Sequence, residues 1–188
     1  MLKMMAEQRQ QHCLFNIIEL EKLLDTCKLD LTPRDEVWPN LYIGNIAFAQ
    51  NRTALKRLGI THILNAAHSK QGSIGDQEFY GSEFEYYGIP ADDSTKFDIS
   101  VYFKPTAHFI HKGLMRKDGK VFVHCIMGMS RSATLVLAYL MLCQRLTLRS
   151  AILKIIQKRA IYPNRNFLSQ LLDLDERLQR KWRVCPIL

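Results

Sequence analysis

Val121-Phe122-Val123-His124-Cys125-Ile126-Met127-Gly128-Met129-Ser130-Arg131-Ser132 passes from a short apolar run through a compact turn into a second apolar run that lasts to Cys143. The first run has the length and β-branched content of a buried strand, and the second has the length of a buried helix. A strand, a tight loop and a helix N-terminus in that order form an anion cradle. Successive backbone N–H groups point inward, the helix dipole adds partial positive charge, and Gly128 lets the chain turn without a Cβ in the way. A phosphate group fits such a cradle. At its base, Cys125 is near the amides, the helix end and the Arg131 guanidinium, all of which favour thiolate over thiol and make the sulfur a nucleophile. Arg131, six residues on, can close over a bound anion and grip two of its oxygens in a planar fork that lysine lacks.

A cysteine and an arginine six apart are weak as a pattern, because Cys143 and Arg149 repeat the spacing. That second pair has no glycine, no preceding strand and no helix starting inside it, so Cys143 reads as a packed small hydrophobe at a helix end. The first pair also carries His124, Gly128, Ser130 and Ser132.

Working outward, Val37-Trp38-Pro39-Asn40-Leu41-Tyr42-Ile43-Gly44 reads as strand, turn, strand, and Arg52 to Leu58 as a short helix stopped by Gly59. Ile60 to Asn65 and Glu83 to Ile89 read as strands, Gly72 to Gly81 as loop, and Ser100 to Met115 as a helix closed by the turn at Lys117 to Lys120. Helices follow over about 130–143, 148–159 and 165–182, with Thr147 and Asn164 as N-caps. This interleaving predicts an α/β fold with a central, mostly parallel (mixed) sheet of about five strands flanked by helices. Leu14 to Leu24 has the spacing of an amphipathic helix, which either packs on the domain or docks a partner. The expected organisation is a tail with that helix over 1–33, a catalytic domain over 34–182 and a C-terminal tail over 183–188.

Composition narrows the classes. The chain has 188 residues, 47% hydrophobic and 23% charged, enough for one domain with a full core. Its longest apolar stretch, Thr134 to Cys143, is about half of a membrane span. Charged and amide residues near Met1 stand where a secretory signal needs an apolar stretch, and the five cysteines are scattered without C-x-x-C spacing. The expectation is a reducing, cytoplasmic setting that extends to the nucleus, with no disulfide framework and no membrane. A formal charge of +8 suits an anionic partner without choosing one. The basic Arg177, Arg180, Lys181 and Arg183 run explains itself as a solvated helix face, so no nucleic acid is expected. His108 and His111 stand one helical turn apart but lack a third ligand in register, so no metal is expected.

The stretch from His124 to Ser132 resembles the signature loop of the cysteine-dependent protein phosphatases, and the run from Glu36-Val37-Trp38-Pro39 to about Leu178 resembles the small, atypical dual-specificity members. The segments Gly59 to His68, Ala133 to Met141, and Pro163-Asn164 with Phe167-Leu168 look most like the skeletal-muscle and testis members. The resemblance implies the phosphatase fold, no cofactor, and hydrolysis of phosphotyrosine and phosphoserine/phosphothreonine on proteins through a cysteinyl phosphate. It makes Cys125 the nucleophile and Arg131 the phosphoryl clamp. His124 supports the thiolate through loop hydrogen bonds, and Ser132 stabilises the departing sulfur. Ile126, Met127, Gly128, Met129 and Ser130 line the phosphate site. A general acid must stand on a nearby loop, and Asp93, 32 residues before the cysteine, aligns with the family's acid better than Asp92; Asp98 reads as the N-cap region of the next helix.

Asn164 is expected to support the loop. Arg159 is expected beside the cleft, receiving a second phosphate or an acidic flank, or else as a solvated helix-end arginine. Relatives usually have glycine where this chain has Asn166, a residue that also tolerates the left-handed region. The uncharged cradle favours singly phosphorylated side chains over polyanionic lipids. Phosphorylated proteins, protein kinases among them, are the expected partners, and a homodimer stays open. The competing reading is a catalytically weak phosphoprotein-binding scaffold of the same fold.

Overall fold

Buried residues of the central strands alternate in the faces they present, and this alternation builds two cores. Leu41, Ile43, Leu64, Val121 and Val123 enter one cluster, whereas Tyr42, Ile63 and Phe122 enter the other. A sheet covered on both faces needs such near-continuous apolar strands. The computed structural model describes residues 16–70, 72–73 and 75–184.

The strands are β1 (Arg34–Trp38), β2 (Leu41–Gly44), β3 (His62–Asn65), β4 (Glu85–Gly88) and β5 (Val121–His124). They lie in the order β1-β2-β5-β3-β4, with β1 antiparallel to β2 and the other pairs parallel. The helices are α1 (residues 16–24 of the described chain), α2 (Ile46–Ala49), α3 (Arg52–Leu58), α4 (Gln77–Tyr80), α5 (Phe103–Leu114), α6 (Arg131–Cys143), α7 (Leu148–Ile156) and α8 (Arg165–Val184). The expected mixed five-stranded sheet flanked by helices is therefore present.

The larger core joins α1 and α5–α8 to one face of the sheet. Helix α6 is buried continuously from Arg131 to Met141, which explains its lack of a polar face. Helix α1 contributes Ile17, Leu20 and Leu24 to the same core, and its Glu21 pairs with Arg165 of α8 at 2.7 Å. The expected start of this helix, Leu14, lies outside the described residues. The smaller core places Ala49, Leu55 and Tyr80, from α2, α3 and α4, against the opposite face.

Local signals set most boundaries. Gly59 closes α3 in the left-handed conformation at φ 79°, and the Thr147 side chain caps α7 by accepting from the Ser150 amide. Two short helices depart from expectation. Residues 77–80, expected as loop, form α4 because Asp76 caps them through the Phe79 amide, and Asn45 caps α2 in the same way.

In the register of the parallel strands, Gly44, His124, Asn65 and Gly88 stand side by side at the carboxyl edge. The segments leaving that row share one rim, and β5 occupies its centre between strands reached from opposite sides. Open α/β sheets bind ligands at such a place.

Candidate active site

Beyond His124 the chain turns so that four consecutive carbonyls are taken by the scaffold. Ile126 O accepts from Ile46 N (2.9 Å), Met127 O from Arg159 Nη2 (3.2 Å), Gly128 O from Arg159 Nε (2.9 Å) and Met129 O from Tyr162 N (2.9 Å). In a trans peptide the N–H points opposite to the preceding C=O. The amides of residues 127–130 are thereby turned toward the other side of the loop. One reports the direction itself: Gly128 N–H donates to Cys125 Sγ at 3.2 Å. Gly128 has φ 73°, and a Cβ on it would strike the Gly44 carbonyl and, at 2.6 Å, Arg159 Nη2. Only glycine lets the loop approach the β2 edge this closely.

Cys125 is 2% exposed, and its Sγ lies 3.3 Å from Ser132 Oγ as well. The sulfur therefore sits between an amide and a hydroxyl in the first turn of α6. Ser130 occupies the N-cap position of α6 without capping it, because its hydroxyl is engaged elsewhere. The uncapped turn leaves its amides for an anion.

That hydroxyl goes to Asp93. Ser130 Oγ donates to Asp93 Oδ1 at 2.8 Å and accepts from Asn164 N at 3.2 Å, while Asn164 Nδ2 donates to the same carboxylate oxygen at 2.7 Å. Asn164 also caps α8, accepting the Phe167 amide at 2.9 Å. Arg131 joins the two loops from the other direction: Nη1 donates to Ala91 O at 3.1 Å, and Nε lies 3.9 Å from Asp93 Oδ2. The residue is 8% exposed and its Nε has no hydrogen-bond partner among the described residues. A buried guanidinium with a spare donor, beside a thiol and inward-turned amides, is a receptor for an oxyanion.

The family model described as "Dual specificity phosphatase, catalytic domain" matches residues 41–177. The chain belongs to the dual specificity phosphatase family. It is 53% identical over 171 residues to the dual specificity protein phosphatase 26 of Homo sapiens, covering 90% of this chain and 80% of the relative. It is also 51% identical over 148 residues to the human dual specificity protein phosphatase 13B, covering 78% and 75%. Among solved structures, human DUSP28 superposes with a TM-score of 0.70 at 28% identity, over 79% of this chain and 96% of that one. The protein is a dual-specificity protein phosphatase, an enzyme acting on phosphorylated proteins, and the scaffold reading is not favoured.

The structure brings together Cys125, Arg131, Ser132, Ser130, Asp93 and Asn164. Met127 stands exposed at the rim, and Ile126 and Met129 are partly buried. The rival acid, Asp92, points to a different partner, pairing with Lys70 at 2.8 Å. Asp98 accepts from the Ser100 amide at 3.0 Å at the start of the next helical segment.

His124 is buried, stacks on Phe122 at 5.8 Å between ring centroids, and places Nδ1 3.3 Å from the Cys125 carbonyl. Its contact is with the loop backbone, and its Nε2 has no partner among the described residues. Burial, reinforced by the Arg131 charge, pushes its pKa down to about 4 against the loop carbonyl, so the imidazole is neutral at neutral pH. Cys143 ends α6, partly buried against the core, where burial pushes the thiol up.

Two expectations are corrected. Arg159 neither faces a substrate nor dissolves in water: it is 1% exposed. Besides the two loop carbonyls, its Nη1 donates to Thr32 O at 3.0 Å and to Asp35 Oδ2 at 2.6 Å. It is a strut behind the loop that follows Cys125, and every nitrogen of its fork is engaged. Its partner stands 124 residues away, so no local pattern announced the pair. Asn166 is not a left-handed stand-in for glycine; it lies in the first turn of α8, and its side-chain amide reaches the acid loop.

Proposed function

We propose that this phosphatase hydrolyses singly phosphorylated protein side chains by two in-line displacements, carried by Cys125 and Asp93. The observation that carries the reading is the position of Cys125 Sγ, 3.2 Å from the Gly128 amide and 3.3 Å from the Ser132 hydroxyl. A phosphate seated over the sulfur meets the amides of residues 127–130 and the spare Nε of Arg131. The thiolate attacks phosphorus, a P–S bond forms, and the P–O ester bond breaks. The leaving oxygen takes a proton from Asp93. Asp93 Oδ1 is already engaged by Ser130 and Asn164, so Oδ2 is the oxygen left to carry that proton. In the second displacement water attacks phosphorus, gives its proton back to Asp93, and the P–S bond breaks. The Ser132 hydroxyl donates to the departing thiolate.

Ile126, Met127, Gly128, Met129 and Ser130 bring no charge into the cradle, which suits a dianionic monoester better than a polyanion. Phosphorylated protein kinases are one class of substrate that this chemistry accepts. The placement beside the skeletal-muscle and testis members, the cytoplasmic and nuclear setting, the absence of nucleic acid and membrane partners, and a homodimer as the assembly to test all belong to the same proposal. Hydrolysis of an aryl phosphate across pH tests the mechanism. Cys125→Ser is expected to abolish turnover and Asp93→Ala to remove the basic limb. Turnover by Cys125→Ser equal to that of the unmodified chain overturns it.

A further inference from the structure

The loop that carries Asp93 is gripped along its length by two amide side chains of α8. Asn166 Nδ2 donates to Ser94 O at 3.2 Å and to Phe97 O at 2.8 Å. Gln170 Nε2 donates to the same Phe97 carbonyl at 2.9 Å and to Asn166 Oδ1 at 3.0 Å. Gln170 Oε1 accepts from Ser100 N at 2.9 Å, closing the set. Both protons of the Asn166 amide are thus spent on the acid loop, and its oxygen is keyed by Gln170, one helical turn on. On the loop's other side, Lys70 holds Asp92. The Ser94 carbonyl is one residue from the Asp93 Cα, so the bond from Asn166 restrains the backbone that carries the acid.

We propose that Asn166, keyed by Gln170, is a positioning residue that holds Asp93 where its carboxyl reaches the leaving oxygen. This rests on the acid role of Asp93 argued above. Proton transfer requires hydrogen-bond reach, and small misplacements remove it. The Asn166 hydrogen bonds run to Ser94, Phe97 and Gln170, not to the signature loop, among the described residues. Its loss falls on proton delivery and spares binding and attack. A structural role without that connection lowers all substrates alike.

The test compares kcat/KM, which covers the steps through thiophosphoryl formation, for phenyl phosphate and 2,4-dinitrophenyl phosphate. The dinitrophenolate leaves without a proton. Asn166→Ala, a substitution that suits a helix, is expected to lower kcat/KM for phenyl phosphate about tenfold and to leave dinitrophenyl phosphate within about twofold, with a flattened basic limb. Asp93→Ala is the reference, with a split of about a hundredfold or more. Should Asn166→Ala melt early, Gln170→Ala is the second variant, with a split in the same direction expected. If Asp93→Ala splits the substrates and the α8 variants do not, or lower both equally, the positioning role is overturned while the acid stands. If Asp93→Ala itself shows no split, the acid reading fails and the proposal falls with it.

Discussion

Replacing Arg159 with lysine keeps a positive charge in the fold and removes the fork. In the unmodified chain the guanidinium reaches Gly128 O and Met127 O with Nε and Nη2, and Thr32 O and Asp35 with Nη1. A single ammonium nitrogen cannot serve acceptors on both edges of the plane. It stays with Asp35 for charge, and the two loop carbonyls lose their donors. A buried polar group left without its partner costs about 1–3 kcal/mol, so two cost roughly 2–6 kcal/mol, a large share of the ~5–15 kcal/mol stability of a domain. These carbonyls also fix the peptide planes whose amides form the proposed phosphate cradle, and a shift of about 1 Å there costs about a hundredfold in rate. Arg159→Lys is therefore expected to lower the urea midpoint and to reduce kcat on every substrate by a similar factor. Urea unfolding and steady-state kinetics on peptides with acidic and neutral flanks measure both. Unchanged stability, with KM raised for acidic flanks alone, would refute the strut and restore a substrate contact.

Other outcomes follow from the same geometry. His124 has a folded pKa of about 4, below the 6.5 of the free group, so the unfolded chain binds the extra proton between those values. Its contribution is intact above pH 6.5 and lost as pH falls toward 4, about 3 kcal/mol across the window; parallel acid sensitivity in His124→Asn, followed by urea unfolding, contradicts this. Gly128→Ala meets the Gly44 carbonyl and a strained φ of 73° together, and is expected to destabilise by about 1–3 kcal/mol and to lose most activity, which melting and turnover report. Ser132→Ala removes the hydroxyl 3.3 Å from Cys125 Sγ, worth roughly 1.5–3 kcal/mol to a charged partner. The expected result in stopped flow is an enlarged burst of product with a steady state slower by about tenfold to a hundredfold; a uniformly slower burst points instead to the first displacement.

How much of this was legible in the sequence depended on the range of the interactions. The strand-loop-helix at Val121 to Ser132 declared itself through apolar runs and one glycine. The caps at Thr147 and Asn164 also read locally, because a cap is a bond within one turn. Asp93 came from the resemblance rather than from spacing, and the structure adds why it stays near the cradle: Ser130 and Asn164 hold it. Arg159 was misread because a basic residue at a helix end carries no mark of a carboxylate 124 residues away. Asn166 was seen as a backbone substitution, whereas its side chain does the holding, which only tertiary contact reveals. The short helices α2 and α4 were missed because four residues give too little periodicity to register against loop composition.

The central claim is that Cys125 itself carries the phosphoryl group. Acid quenching of Ser132→Ala during turnover of 2,4-dinitrophenyl phosphate, followed by intact-mass measurement and mapping of the modified peptide, tests it directly. The account predicts one phosphoryl group on Cys125 and none when Cys125→Ser is added. Turnover with no covalent intermediate, or a phosphoryl group on any other residue, would contradict it.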